Sequence, residues 1–174
     1  MNRGRTPLTR VEPGLPASWY RDAAHYDREL EAFWYRNWIA VAREEEIPAA
    51  GDWKRVRLGT QSLIVLRDEA GGLRAFHNTC RHRGSVLCTE EQGNFARRRI
   101  VCPYHGWTYD LAGQLVATPR RMQTPDFRPG DYPLFQVRAE PWGGFIFIHL
   151  GKDAAPLAAA LGERAERYRR YAFG

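Results

Sequence analysis

Four side chains carry the chemistry open to this chain. Cys80 and His82 stand two positions apart in Cys80-Arg81-His82-Arg83-Gly84, and Cys102 and His105 three apart in Cys102-Pro103-Tyr104-His105-Gly106-Trp107. Nineteen residues separate His82 from Cys102. Each run offers one thiolate and one imidazole, and in an intracellular setting cysteines at fixed spacing read as metal ligands before they read as disulfides. Thiolates suit zinc, copper and iron–sulfur centres, whereas imidazole suits zinc, copper and iron. Two centres therefore stay open, a structural zinc ion and a mixed-ligand [2Fe-2S] cluster.

Zinc sites commonly use C-x2-4-C and H-x3-5-H pairs, each pair drawn from one residue type. Here each pair is mixed. A Rieske-type cluster needs two cysteines on one iron and two histidines on the other, which two facing loops with one of each supply. The two runs resemble the signature of the Rieske non-haem iron oxygenases, the family of aromatic ring-hydroxylating dioxygenases and choline- or carnitine-type monooxygenases. The resemblance extends to Trp53-Lys54, Phe76-His77-Asn78, Thr108-Tyr109-Asp110 and Trp142-Gly143-Gly144-Phe145-Ile146-Phe147. One departure is visible: the interval between the runs is about two residues longer than the family's usual pattern, with Arg97-Arg98-Arg99 in the stretch that has grown.

The resemblance implies a [2Fe-2S] cluster with Cys80 and Cys102 on a buried iron and His82 and His105 on an outer one. It implies a Rieske-type antiparallel β-sandwich, mainly β, with flanking N- and C-terminal helices. The electron would come from a reductase or ferredoxin and go to a mononuclear Fe(II) held by two histidines and a carboxylate in a larger domain. At 174 residues and 20.0 kDa the chain is too short to include that domain, so it reads as the N-terminal part of a longer protein or a fragment. Its expected division is an arm and helix over 1–37, the cluster domain over 38–150, and a helix over 151–174 leading into the absent catalytic domain. The full-length protein is expected to form a homo-oligomer, a trimer. The competing readings are a free-standing Rieske ferredoxin, which needs neither flanking helix, and a zinc-binding module.

Neutral imidazoles in place of two thiolates make the cluster less negative and easier to reduce, so His82 and His105 set the energy of the electron. Amides of the tight loops containing Gly84 and Gly106 are expected to donate to sulfur. Trp107 and Tyr104 either shield the cluster or are ordinary core. Arg81 and Arg83 read either as contacts for a carboxylate on a neighbouring subunit or reductase, or as surface charge. Cys88, the third cysteine, reads as a small buried hydrophobe. His25, His77 and His149 receive no role.

The net charge of +6 comes almost wholly from dispersed arginine, Lys54 and Lys152 being the only lysines, and Glu44–Glu46 and Glu90–Glu91 interrupt it. A nucleic-acid face would need clustered cations with interleaved aromatics, so none is expected. No apolar run of membrane-spanning length and no signal peptide core is present, which points to the cytoplasm and away from a membrane.

The elements that must position the four ligands follow from pattern. Proline-rich residues 1–21 read as an irregular arm. From Asp22 to Trp38, Tyr26, Leu30, Phe33 and Trp34 form a helical apolar stripe, expected to dock on the body of the domain. Strands are expected at 39–42, 53–58, 62–67, 73–77, 99–101, 108–110, 115–117, 135–140 and 144–150, with a hairpin at Asp68–Gly72 delivering the first loop. Phe145–Ile148 is expected to be buried on both faces, and residues 118–133, with four prolines, to hold no regular element. A single helix is expected from Pro156 onward, with Leu157, Leu161, Ala165, Tyr168 and Tyr171 on one side.

Overall fold

The structure, a computed structural model, describes residues 10–11, 13–119, 124–168 and 171. Its strands, in chain order, are β1 (Ile39–Arg43), β2 (Asp52–Leu58), β3 (Gln61–Arg67), β4 (Leu73–His77), β5 (Gln92–Asn94), β6 (Ile100–Val101), β7 (Thr108–Tyr109), β8 (Leu115–Ala117), β9 (Gln136–Trp142) and β10 (Phe145–His149). Seven of them form one sheet in the order β1-β10-β9-β4-β3-β2-β5, and β6-β7-β8 form a second. All the pairs are antiparallel. The expected β architecture is present.

The large sheet has apolar side chains on both faces because β3 is apolar at every position from Leu63 to Leu66. Successive side chains of a strand point to opposite faces. Ile64 and Leu66 accordingly join Trp53, Phe76, Cys80, Cys102, Trp107, Tyr109 and Leu111 in the core beneath the small sheet. Leu63 and Val65 join Val56, Leu58, Ala75, Val137, Ile146 and Ile148 in a second core. All four β3 side chains are 0% exposed, and each contributes about 1.5–3 kcal/mol relative to an exposed position. The strand buried on both faces is thus β3, and the expectation for Phe145–Ile148 is corrected. In β10 only Ile146 and Ile148 are buried, while Phe145 and Phe147 lie on a half-covered face, since β10 sits next to the edge strand β1.

The β3–β4 hairpin is held by Asp68 as much as by glycine. Its carboxylate accepts from the amides of Ala70 and Gly72 and from Arg74 Nε. Burial works to raise the Asp68 pKa, but the Arg74 and amide hydrogen bonds overcome it and hold the carboxyl below its ordinary range.

Three helical expectations need correction. The first helix, α1, runs only over Ala23–Ala32, followed by a 3-10 turn at Trp34–Arg36. Of its apolar stripe Leu30 alone is buried, whereas Tyr26, Phe33 and Trp34 are exposed. The C-terminal helix is two pieces, α2 (Leu157–Leu161) and α3 (Glu163–Tyr168), parted by Gly162 at φ +51. Of its expected apolar side, only Leu157 is buried. In the stretch 118–133 a 3-10 turn forms at Pro129–Asp131; residues 120–123 lie outside those described.

The two flanking segments meet at one end of β9 and β10. His149 Nε2 donates to the Arg36 carbonyl at 3.0 Å and its Nδ1 accepts from the Gly151 amide at 2.8 Å. Trp38 Nε1 donates to Ala155 O, Arg138 to Ala154 O, and Glu140 accepts from the Leu157 amide. His149 is therefore a structural tie between the two segments.

Candidate metal centre

The large sheet and the β6–β7 hairpin each deliver one short loop to the same place. The first is closed by an isolated antiparallel bridge between Thr79 and Val86, the second by the Val101–Thr108 pair. Inside each tip the same two backbone bonds recur. Cys80 N donates to Ser85 O at 2.8 Å and Gly84 N to Cys80 O at 3.0 Å; Cys102 N donates to Trp107 O at 2.8 Å and Gly106 N to Cys102 O at 3.0 Å. This turn brings its fifth residue to positive φ, +71 at Gly84 and +67 at Gly106, a conformation that strains any residue with a Cβ.

The four side chains converge. Cys80 and Cys102 are buried, and their thiols are near enough for each to bear on the other's charge. The imidazoles of His82 and His105 sit in front of them, half-exposed, with ring centroids 4.8 Å apart. None of the three cysteines is in a disulfide.

Electrostatics prepare the donors unequally. Burial pushes the Cys80 thiol up, against the pull of hydrogen bonds from Tyr109 and the His82 amide, and the nearby Cys102 thiol pushes it further. A bound metal must overcome that cost, since a thiolate ligand is deprotonated. Burial, then the neighbouring His105 and Arg83, holds the His82 pKa below its ordinary value, which leaves the neutral imidazole a ligand requires.

Around these four, the structure settles what the neighbouring residues touch. Trp107 is 4% exposed and stacks parallel on His82 at 4.8 Å, with Phe127 and Tyr132 against its edges. It is core, and its ring covers one face of His82. Tyr104 is not core: it is 59% exposed and lies over the His105 ring at 3.7 Å. Arg81 is held in place within the chain, donating to Pro133 O at 3.0 Å and lying over the Phe135 ring at 4.1 Å. The Gly84 and Gly106 amides bond to cysteine carbonyls, so the donors toward Cys80 sulfur are the His82 amide and the Tyr109 hydroxyl. Cys88 is a buried hydrophobe, its thiol pushed up to about 12 by burial.

Two positioning residues carried no role in the sequence reading. Tyr109, 0% exposed, places its hydroxyl 3.3 Å from Cys80 Sγ and accepts from the Arg81 amide at 3.1 Å. Asn78, 1% exposed, accepts from the amides of Leu87 and Cys88 and donates to Cys88 O and Ser62 Oγ. Both stand inside motifs that carried the resemblance. Their contacts reach up to twenty-nine positions along the chain, which no local pattern encodes.

The donor set discriminates between the two centres left open. A structural zinc ion needs four donors around one point. Among the described residues no three His, Cys, Asp or Glu side chains are grouped to hold a single ion. The four divide into a buried sulfur pair and an outer imidazole pair, as the two irons of a Rieske cluster divide their ligands. The residues fit that cluster.

The comparisons with known proteins agree. The chain is 39% identical over 155 residues to the biphenyl 2,3-dioxygenase subunit alpha of Rhodococcus jostii, covering 88% of this chain and 32% of that protein. It is 38% identical over 144 residues to the chloroplastic choline monooxygenase of Arabidopsis thaliana, covering 83% of this chain and 33% of that protein. The apo form of the quaternary ammonium Rieske monooxygenase CntA superposes with a TM-score of 0.80 at 29% identity, over 88% of this chain and 44% of that one. The chain spans about a third of the length of these curated relatives. Residues 37–128, more than half of the sequence, match the Rieske [2Fe-2S] domain family, and the chain belongs to that family.

Proposed function

We propose that Cys80 and Cys102 hold one iron of a [2Fe-2S] cluster and His82 and His105 the other, within the electron-transfer domain of an oxygenase large subunit. When bound, the cluster supplies one-electron transfer, from a reductase or ferredoxin to a mononuclear iron outside these residues. Residues 38–150 are the cluster domain, 1–37 an arm and helix, and 151–174 the lead toward a catalytic domain. The full-length protein works as a homotrimer in the cytoplasm. No helix among the described residues is long and apolar enough to cross a membrane.

The observation that carries this reading is the division of the four donors between two hydrogen-bonded tips, sulfur inside and imidazole outside. The chain's own residues do the rest. Burial keeps water from the sulfurs, Tyr109 and the His82 amide aim donors at Cys80, and Trp107 fixes the plane of His82. Half-exposed imidazoles leave the outer side open to a partner. Similarity to oxygenase large subunits runs over 155 residues, well beyond the 37–128 family match, and this favours a large subunit over a minimal ferredoxin.

Visible spectroscopy with metal analysis tests the assignment. Protein produced with adequate iron should be red-brown, contain about two irons per chain, and bleach with dithionite. A colourless protein carrying one zinc per chain would overturn it.

A further inference from the structure

A groove of about 640 Å3 runs beside the first loop, and its lining contains cations but no carboxylate. Its lining includes Thr79 and Arg81, the chain neighbours of Cys80, together with Phe135, Arg138 and Lys152.

The three cations differ in how far they are neutralised. Arg138 donates to Glu140 Oε1 at 3.0 Å and to Ala154 O, so its charge is largely met. Arg81 is fixed by a carbonyl and an aromatic face, neither of which cancels a charge. Lys152 is exposed and has no ion pair among the described residues. Two uncompensated positive charges thus share the groove with Phe135, itself 52% exposed. His77 also lines the groove, but burial lowers its pKa and it adds no charge near neutrality. Arginine, an open aromatic ring and a steering charge are what protein-recognition surfaces concentrate.

We propose that this groove receives an acidic segment of the electron-donating protein, its carboxylates on Arg81 and Lys152 and an apolar side chain on Phe135. The donor is thereby seated against the loop that carries Cys80 and His82. This rests on the reading that the two loops hold the cluster, and it adds where and by what chemistry the donor docks. Redox encounters of this kind are small and transient, so their rates follow charge and salt closely.

The test is stopped-flow reduction of the iron-loaded chain by an acidic plant-type [2Fe-2S] ferredoxin as probe, at several salt concentrations. The variants are Lys152→Glu and Phe135→Ser in the groove, with Arg57→Glu, an exposed position on β2, as a charge reversal of equal size elsewhere. The expected result is a second-order rate constant that falls with salt in the parent chain and drops roughly tenfold in Lys152→Glu at low salt, but less than twofold in Arg57→Glu. Phe135→Ser should weaken reduction at every salt concentration. Equal effects of the two charge reversals, or a salt-independent rate in the parent, overturn the proposal. So does a dimer in sedimentation that Lys152→Glu dissolves, because the groove would then hold a second copy. Red-brown, dithionite-reducible variants without the expected differences remove the groove alone; a colourless parent removes the underlying assignment as well.

Discussion

The two tips share a backbone and differ in nearly everything around it. In each, the cysteine amide bonds five residues on, the fifth-residue amide bonds back to the cysteine carbonyl, and an antiparallel pair closes the base. Yet the histidine is third in one tip and fourth in the other, and the surroundings are unlike. The second tip joins β6 to β7, and β7 pairs in turn with β8. The first is followed by an irregular stretch from Ser85 to Glu91, whose buried amides at Leu87 and Cys88 are satisfied by one side chain, Asn78. One turn is therefore supported by a strand ladder and the other by side chains. The comparison teaches that ligand placement depends on the turn, while robustness depends on what stands behind it.

The largest effect should strike both tips alike. Cys80→Ser or Cys102→Ala leaves half a sulfur pair and should give colourless or aggregated protein, because folding and metal binding are coupled at such sites. Iron content and soluble yield are the measurements. If one variant kept two irons per chain and the other lost them, the two cysteines could not share an iron.

Next in size is the support behind the first tip. Asn78→Leu removes the acceptor from two buried amides, each costing about 1–3 kcal/mol when left unmet, so a loss on the order of 2–5 kcal/mol is expected. Urea denaturation should show it as a lower midpoint with an unchanged slope. A stability within 1 kcal/mol of the parent would mean that the 85–91 stretch finds its acceptors elsewhere and the tips are supported alike.

The two glycines sharpen the comparison because their backbone strain is matched. A Cβ at Gly84 meets nothing within 4 Å, whereas one at Gly106 comes 2.7 Å from Pro119 Cγ. Gly84→Ala should cost about 1–2 kcal/mol from the left-handed conformation alone. Gly106→Ala adds overpacking, typically about 1–3 kcal/mol. Thermal melts of the iron-loaded proteins should rank Gly106→Ala clearly below Gly84→Ala; the reverse order would show that the first tip is the more confined.

How much of this was legible in the sequence follows the same division. The four donor residues and the turn were readable because Cys80, Gly84, Cys102 and Gly106 are dictated locally, by chemistry and by positive φ. Strand patterns were readable where alternation or a turn residue was present. The β5 strand, Gln92-Gly93-Asn94, was not, since three exposed residues carry no apolar period. The arginine stretch after it makes a 3-10 turn in which Arg97 and Arg98 both take positive φ, a conformation their side chains do not announce. Phe145–Ile148 misled because a wholly apolar strand has no pattern to show which face is covered, and that is settled by its place near the sheet edge. The repeated turn escaped as a repeat because only the cysteine and the glycine are common to both tips.

The smallest expected effect is the most specific to the first tip. Tyr109 lies on β7 of the second hairpin but serves the first loop, bonding Cys80 Sγ and the Arg81 amide. Burial, and then the Cys80 hydrogen bond, holds its phenol well above the ordinary range, so it keeps its proton at any working pH. A cysteine bound to iron has no proton, so the hydroxyl must donate to sulfur while accepting from the amide. A donor to sulfur stabilises the more negative, reduced state of the cluster, and its loss favours the oxidised one. Tyr109→Phe keeps the ring and its packing but removes that donor. The midpoint potential should therefore fall by tens of millivolts, where about 59 mV is tenfold in the one-electron equilibrium. The visible spectrum should stay that of an intact cluster, and stability should drop by only about 1 kcal/mol. Histidine-side changes should shift the potential through charge, so His105→Cys, if it still binds iron, should lower it more. An unchanged potential in a Tyr109→Phe protein of full iron content would mean that the hydroxyl serves the Arg81 amide alone, and that the first sulfur has no side-chain donor the second lacks.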